Sequence, residues 1–330
     1  MIKSLCTAVL LSCATVVVGA SLPAPALLVL NKEEATLTIV DPGTGQVVGK
    51  VATGEGPHEV VTDGVHAFVS NYGSRTPGAT LSVIDLASLK EVRRVDLGAL
   101  RRPHGLAMVE GKVYFTAETN RVVGRYDPAV DRVDWIMGTG QVGTHMILVR
   151  GGGSPIVTTN IGSDSVSIME VGPSPPAWTV TTIPVGKGPE ALDLSPDGTE
   201  LWVAHSRDGG VSVIDLASKK VLQTIDLRTK RSNRLKFTPD GRLVLISDLD
   251  AGDLVVVDVR TRAEVKRLPL GRSPEGILVV PDGTRAYVAV TGDNHVAAVD
   301  LESLSVTGKV ATGAGPDGMA WTPREARGQR

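Results

Sequence analysis

The chain has 330 residues, with 34 Lys and Arg against 36 Asp and Glu, a formal charge of −2, and 42% hydrophobic but only 3% aromatic residues. That balance argues against a nucleic-acid partner, which needs a concentrated basic face. With 37 Gly and 20 Pro, the composition disfavours a helical bundle and suits many short strands joined by tight turns.

Residues 1–20 read as an export signal. Lys3 supplies the positive start, Leu5 to Val18 is largely apolar, and Val18-Gly19-Ala20 offers a small-residue cleavage site, with Ala24-Pro25-Ala26 as a second. The apolar run is shorter than the roughly 20 residues that a spanning helix needs. Leu10-Leu11-Ser12-Cys13 also resembles a lipoprotein box, so lipid anchoring at Cys13 is the alternative to plain cleavage. Both cysteines, Cys6 and Cys13, lie inside the signal. A chain cut after Ala20 therefore has no disulfide, thiolate nucleophile, Fe–S ligand or covalently attached haem. The expectation is a periplasmic or secreted protein with no integral membrane segment.

A repeat organises the remainder. Apolar strands ending in an acid recur as Leu37-Thr38-Ile39-Val40-Asp41, Leu81-Ser82-Val83-Ile84-Asp85 and Val211-Ser212-Val213-Ile214-Asp215, with weaker copies ending at Asp127, Glu170, Asp258 and Asp300. From Asp41 to Asp300 the intervals are 44, 42, 43, 45, 43 and 42 residues. Each unit holds four strand-like pieces, and the turns Ser195-Pro196-Asp197-Gly198, Thr238-Pro239-Asp240-Gly241 and Val280-Pro281-Asp282-Gly283 recur between the first and second. Four strands per unit at this period predict a β-propeller. Seven acid markers give seven blades. The C-terminal segment 315–323 holds only a first strand, and 26–51 holds three more, so the two ends are expected to complete one blade and close the ring. The fold expected is all-β, a single seven-bladed domain over residues 21–330, with 324–330 as a tail.

These units resemble the YVTN-repeat, YncE-like propellers. Phe68-Val69-Ser70-Asn71, Trp202-Val203-Ala204-His205 and Tyr287-Val288-Ala289-Val290 stand at the family's YVTN position, with Val290 where Asn is usual. Gly56-Pro57-His58-Glu59 and Ser273-Pro274-Glu275-Gly276 match the start of the unit. The resemblance covers the mature chain and implies the fold. Related propellers include lactonases, lyases, haem domains of nitrite reductases and amine dehydrogenase heavy chains, so it does not choose a function.

In such a blade the first strand lines the central channel. The Asp residues that end third strands precede turns and are expected to bond backbone N–H groups on one face. The opposite face carries the candidate site. Aligning the segments that lead into the seven first strands places His58, His104, His145, Glu190, Arg234, Glu275 and Asp317 around the channel mouth. A second ring, where second strands end, reads Asn31, Asn71, Glu118, Asn160, His205, Asp248 and Val290. His66 and His295 fall outside both rings and are expected to be structural or surface groups.

Histidines on three consecutive units, with Glu190 beside them, suit a divalent ion such as Zn²⁺, Mn²⁺ or Cu²⁺. The bland alternative is a hydrated polar mouth in which Arg234 pairs with Glu190 or Glu275. Residues 72–80 are expected to form a long loop that covers part of the mouth. Arg101, Arg102, Arg228, Lys230, Arg231, Arg234 and Lys236 place positive charge on the same face, suited to a carboxylate or phosphate. Gly151-Gly152-Gly153 has no following Lys, and no GxSxG or His-Glu-x-x-His motif is present. Two readings follow. One is an exported, monomeric binding module for a small polar molecule, a metal ion or a protein partner. The other is a metal-assisted lactone hydrolase or lyase in which His58, His104, His145 and Glu190 hold the ion and His205 or Glu118 acts as base. A bound haem or quinone ranks behind both.

Overall fold

Most strand interiors of this chain are apolar at consecutive rather than alternate positions, which requires a sheet covered on both sides. In blade 6, Val244, Ile246, Val255 and Val257 pack towards blade 5, while Leu245, Leu254 and Val256 pack towards blade 7. The same division holds around the ring. Seven apolar clusters form, one at each junction between neighbouring blades. A blade thus owns no core of its own.

The computed structural model describes residues 25–174 and 177–322. The proposed export signal, Cys6, Cys13 and the tail after Thr322 lie outside the described residues. Seven four-stranded antiparallel sheets are present, six of them built from consecutive strands. In these, blades 2 to 7 occupy residues 57–96, 103–138, 144–184, 189–226, 232–269 and 274–311. Blade 1 joins the two ends of the chain. Its inner strand Pro316–Trp321 pairs with Leu27–Asn31, which is followed by Thr36–Asp41 and Gln46–Ala52. Ala26 and Thr322 tie this seam again, Thr322 N–H donating to Ala26 O at 2.9 Å. The seven-bladed, end-to-end closed ring expected from the repeat is the fold. Among the described residues the helices are three short 3₁₀ turns, and none is long and apolar enough to cross a membrane.

The markers that revealed the repeat have local duties. Asp85, Asp215, Asp258 and Asp300 each accept the backbone N–H three residues on, at 2.6–2.8 Å, within the turn that follows the third strand. Hydrogen bonds from surrounding backbone and hydroxyl groups hold these carboxylates below their ordinary range. The Pro-Asp-Gly turns close with the glycine N–H bonded to the carbonyl three residues back, at 2.8–2.9 Å.

Two features of the first strands shape the channel. Each carries a register shift near its start. In blade 2, Pro57 pairs with Asn71 and Val60 with Val69, so His58 and Glu59 are squeezed out of the ladder. Equivalent shifts follow Pro103, Thr144, Pro189, Ser232 and Pro274. Such bulges re-aim side chains, and here they aim them at the channel. Second, the strands crowd one another. A Cβ on Gly276 would lie 2.1 Å from Asp317 O, and one on Gly318 would lie 2.1 Å from His58 O.

Neighbouring blades are stitched at the same level by second-strand hydroxyls. Ser70 accepts the Glu59 N–H and donates to His104 O in the next blade at 2.9 Å. Thr116 does the same for Gly105 N and His145 O, Thr159 for Met146 N and Glu190 O, and Ser247 for Arg234 N and Glu275 O.

Because closure relies on the seam in blade 1, Leu28→Ala, at a fully buried site there, should cost about 2–5 kcal/mol. Leu222→Ala, on the exposed outer strand of blade 5, should stay within about 0.5 kcal/mol of the parent. Guanidinium unfolding of the two variants compares them directly.

Candidate functional site

Strand pairing supplies the register that sequence alignment lacked. The bulged residues next to the ladder positions Pro57, Pro103, Thr144, Pro189, Ser232, Pro274 and Pro316 are His58, His104, His145, Glu190, Asn233, Glu275 and Asp317. Six of the seven expected ring members stand where they were placed. In blade 6 the ring residue is Asn233, and Arg234 belongs one position deeper, level with Glu59. The second ring needs a similar correction. Pro103 pairs with Ala117, so Ala117 is the counterpart of Asn71, and Glu118 lies one residue further on.

That shift separates structural from exposed groups. Asn31, Asn71 and Asn160 are buried, and their amides donate to hydroxyls of their own third strands: Thr36 and Thr38, Thr80 and Ser82, Ser165 and Ser167. Asp248 accepts the N–H groups of Lys230 and Arg231 at 2.9 Å. His205 is fully buried between Asp208 (2.9 Å) and Ser212 (3.0 Å). Burial lowers its pKa despite the Asp208 charge, so a base role for His205 loses its geometry. Asn71, Asn160, His205 and Asp248 hold blades together and do not face the mouth. Val290 is matched by buried His295, its ladder partner, which places the polar group of blade 7 on the third strand and not at the surface.

The residues one step beyond this inner ring reach the opening. Lys32, Tyr72, Glu118, Ile161, Ser206 and Leu249 line a cavity of about 630 Å³ together with His58, His104, His145, Glu190, Asn233 and Glu275. Tyr72 stands on a hairpin, not a loose loop, because strands His66–Gly73 and Pro77–Asp85 extend almost to its tip. Its ring meets His58 and His104 edge-on at 5.5 Å, with the Arg102 guanidinium 4.6 Å from its centroid. Of the basic residues expected on this face, Lys236 lies lower in the channel, 3.7 Å from Asp193.

The three histidines form a row of mutually tilted rings, with interplanar angles of 50° and 36°. Ring centroids are 3.9 Å apart for His58 and His104 and 3.7 Å for His104 and His145. A carboxylate closes each end. Asp317 Oδ2 lies 2.8 Å from His58 Nδ1 at an angle outside hydrogen-bond geometry, so this contact is chiefly electrostatic. Glu118 bonds His145 Nδ1 and also accepts the Tyr72 hydroxyl at 2.6 Å. Both acids favour a proton on Nδ1 and leave Nε2 with its lone pair. His145 Nε2 is buried without a partner, as is His104 Nδ1. His104 Nε2 and His58 Nε2 share a hydrogen bond at 3.1 Å, so without an ion one of the two carries the proton that the other accepts. Burial, reinforced by the neighbouring histidines, pushes His104 well below the usual imidazole range, so it is neutral.

The surrounding charges are mutually satisfied. Lys32 reaches Glu275 at 2.6 Å and Asp317 at 3.1 Å. Burial opposes its charge, yet these two acids hold its pKa above the ordinary lysine value. Burial would likewise raise Asp317, but Lys32, His58 and Arg234 keep it far below the carboxylate range. Glu275 is raised by burial and by the Asp317 charge. Tyr72 is pushed up to about 12 by burial and by Glu118. Arg234 bonds Glu59 across the channel and lies 3.9 Å from Asp317. It pairs with neither Glu190 nor Glu275. Glu190 instead accepts the Asn233 amide at 2.8 Å.

Two groups of side chains can bring donor atoms within 4.8 Å of one another: His58, Glu59 and His104, and His104, Glu118 and His145. His104 is common to both. Glu190, expected as a metal ligand, belongs to neither, because Asn233 has claimed it. The acid beside the histidines is Glu118 or Glu59. Lys32, Glu59 and Asn233 were not site candidates from the sequence, and Tyr72 was expected only as part of a covering loop. For Asn233, the hydrophilic run Ser232-Asn233-Arg234 lacks the proline that marks the register in blades 2, 3, 5 and 7.

Comparisons with known proteins agree with this architecture. Residues 145–283 match the family model for the cytochrome D1 heme domain. Antigen Lp49 of Leptospira interrogans is 33% identical over 94 residues, covering 28% of this chain and 21% of that protein. The beta subunit of hydrazine synthase from Kuenenia stuttgartiensis is 31% identical over 144 residues, covering 36% of this chain and 37% of that one. The chain thus matches only about a fifth to just over a third of these relatives' lengths. Among solved structures, a periplasmic gluconolactonase of Pseudomonas aeruginosa superposes with a TM-score of 0.72 at 20% identity, covering 91% of this chain and 99% of the other. Together these place the chain among β-propellers.

The depressed Asp317 has a testable signature. Its charge stabilises the fold wherever it is ionised in the native state, so the contribution is complete above the unfolded-state value of about 3.9 and is lost as pH falls towards the native value. Asp317→Asn should therefore cost about 3–5 kcal/mol at neutral pH. The difference from the parent should narrow only below about pH 4. Chemical unfolding across pH measures both.

Proposed function

We propose that the chain is an exported, YncE-like propeller that binds a divalent transition-metal ion at the channel mouth and uses it to hold a small polar ligand. The single observation carrying this reading is the row of histidines with its terminal carboxylates. His58 and His145 turn their Nδ1 atoms to acids, the arrangement that metal-binding histidines use. The Nε2 atoms of His58 and His104 are 3.1 Å apart. Two nitrogens on one tetrahedral ion, each about 2.0–2.1 Å from it, stand roughly 3.3 Å apart. His145, with an unpartnered, buried Nε2, belongs with Glu118 to the second donor group, which shares only His104 with the first. The donor set fits Zn²⁺, Cu²⁺ or Ni²⁺ better than a hard ion such as Mg²⁺. An ion here would supply Lewis acidity towards a ligand oxygen. The protein's share is to keep His104 neutral, fix the imidazole tautomers through Asp317 and Glu118, and screen one side with Tyr72.

A haem of the kind named in the matching family fits less well. The mouth offers imidazole lone pairs for an axial position, but its lining is largely charged or polar. Ile161 and Leu249 are its aliphatic side chains, and a planar macrocycle needs apolar cover on both faces. Lactone hydrolysis, the activity in the name of the Pseudomonas neighbour, remains the alternative use of the same site, with Glu118 in place of His205 as proton acceptor. Glu118 is held below its ordinary range, since the bonds from His145 and Tyr72 outweigh its burial, and it would be ionised.

Zinc titration of metal-stripped protein, read by calorimetry and by elemental analysis after desalting, tests the proposal. The expected result is about one ion per chain. His58→Ala/His104→Ala should abolish binding, and Glu118→Gln should weaken it by about 10–100-fold, as loss of an orienting partner does. His205→Ala should leave zinc affinity unchanged while lowering thermal stability. Absence of a bound ion in a folded parent protein would overturn the reading.

A further inference from the structure

The acids lining the mouth already have partners: Glu118 has His145 and Tyr72, Glu190 has Asn233, and Glu275 has Lys32. The cations are not equally satisfied. Lys32 is engaged by two carboxylates, but Arg207 and Arg231, which line the same cavity, form no ion pair among the described residues. The Arg207 guanidinium donates one hydrogen bond among the described residues, to the Ile161 carbonyl at 3.2 Å. Two exposed arginines alone would mean little. A buried acceptor stands beside them. Asn233 is 5% exposed, its amide nitrogen is spent on Glu190, and its Oδ1 has no partner. An unpartnered buried carbonyl oxygen awaits an O–H or N–H donor.

The cavity therefore presents three unmet needs: anionic charge near the two guanidiniums, a donor for Asn233 Oδ1, and an electron pair for an ion on the histidines. We propose that the occupant is a small hydroxylated organic anion. Its carboxylate or phosphate lies against Arg207 and Arg231, one hydroxyl donates to Asn233, and another oxygen reaches the histidine-bound ion. Guanidinium groups suit either anion because their fork matches paired oxygens. A cavity of about 630 Å³ admits such a molecule whole. This inference rests on the metal-binding reading and adds the ligand class to it.

Glycerate, glycerol 3-phosphate and glycerol share a three-carbon hydroxylated frame and differ in charged group. Calorimetric titration of each into the zinc-loaded full chain tests the proposal. One or both anions should bind and glycerol should not; the tighter anion identifies carboxylate or phosphate as the preferred head. Arg207→Ala and Arg231→Ala should each weaken the anion by about tenfold or more, since hydrogen bonds to charged groups carry that much. Both should leave zinc affinity unchanged. Asn233→Ala should weaken the anion as well, and Asn233→Asp should weaken it further by repulsion. Zinc binding without anion binding, equal binding of glycerol, or arginine variants that bind as the parent does would each overturn this inference and leave the metal reading standing. Failure to bind zinc would overturn both.

Discussion

The stitch between blades is the contact from which the rest follows. A hydroxyl on the second strand takes an N–H from its own first strand and gives its proton to the first strand of the next blade. The carbonyls it reaches are those of His104, His145, Glu190 and Glu275. The backbone of the ring residues is therefore pinned from the neighbouring blade, and the side chains inherit that rigidity. Holding three imidazoles in a row, with successive centroids less than 4 Å apart, needs such precision. A ring made of rigid blades with slack between them would not hold it.

The same crowding explains why glycine follows the ring residue in three blades. Gly105, Gly276 and Gly318 sit where the next strand's backbone comes closest. Glu59 and Arg234 occupy that level elsewhere and span the channel as an ion pair. Small residues on one side make room for long ones on the other. The charges around this level are balanced locally, which is how the chain can bury Asp317 and Arg234 side by side, with half-buried Lys32 against Asp317. Each is costly to bury alone and tolerable together.

Much of this was legible in the sequence, and the reasons for success and failure are specific. The acid that ends each third strand and the Pro-Asp-Gly turns are short-range devices, so they recur at fixed spacing and give the blade count and the closure. Where a proline leads into the first strand, as before His58, His104, Glu190, Glu275 and Asp317, the ring residue follows directly. Blade 6 replaces that proline with Ser232, and the alignment slipped by one, taking Arg234 for Asn233. Glu118 was placed in the ring one residue too early for the same reason: Ala117 gives no sign that it stands where Asn71 and Asn160 do. A slip of one matters because it moves a side chain to another level of the channel, as between Asn233 at the mouth and Arg234 below it. The partners themselves were not readable. Lys32 meets Glu275 across 243 positions and Arg234 meets Glu59 across 175, and nothing local announces either pairing.

The bar formed by Glu59 and Arg234 has one more consequence. Below it lies a second cavity, lined by Val61, Leu148, Leu194, Leu278 and their neighbours, that opens towards the Pro-Asp-Gly side. The ion pair thus marks the boundary between two compartments of different chemistry, a polar mouth that holds the histidines and a more apolar floor. The hairpin carrying Tyr72 stands at the rim of the upper compartment.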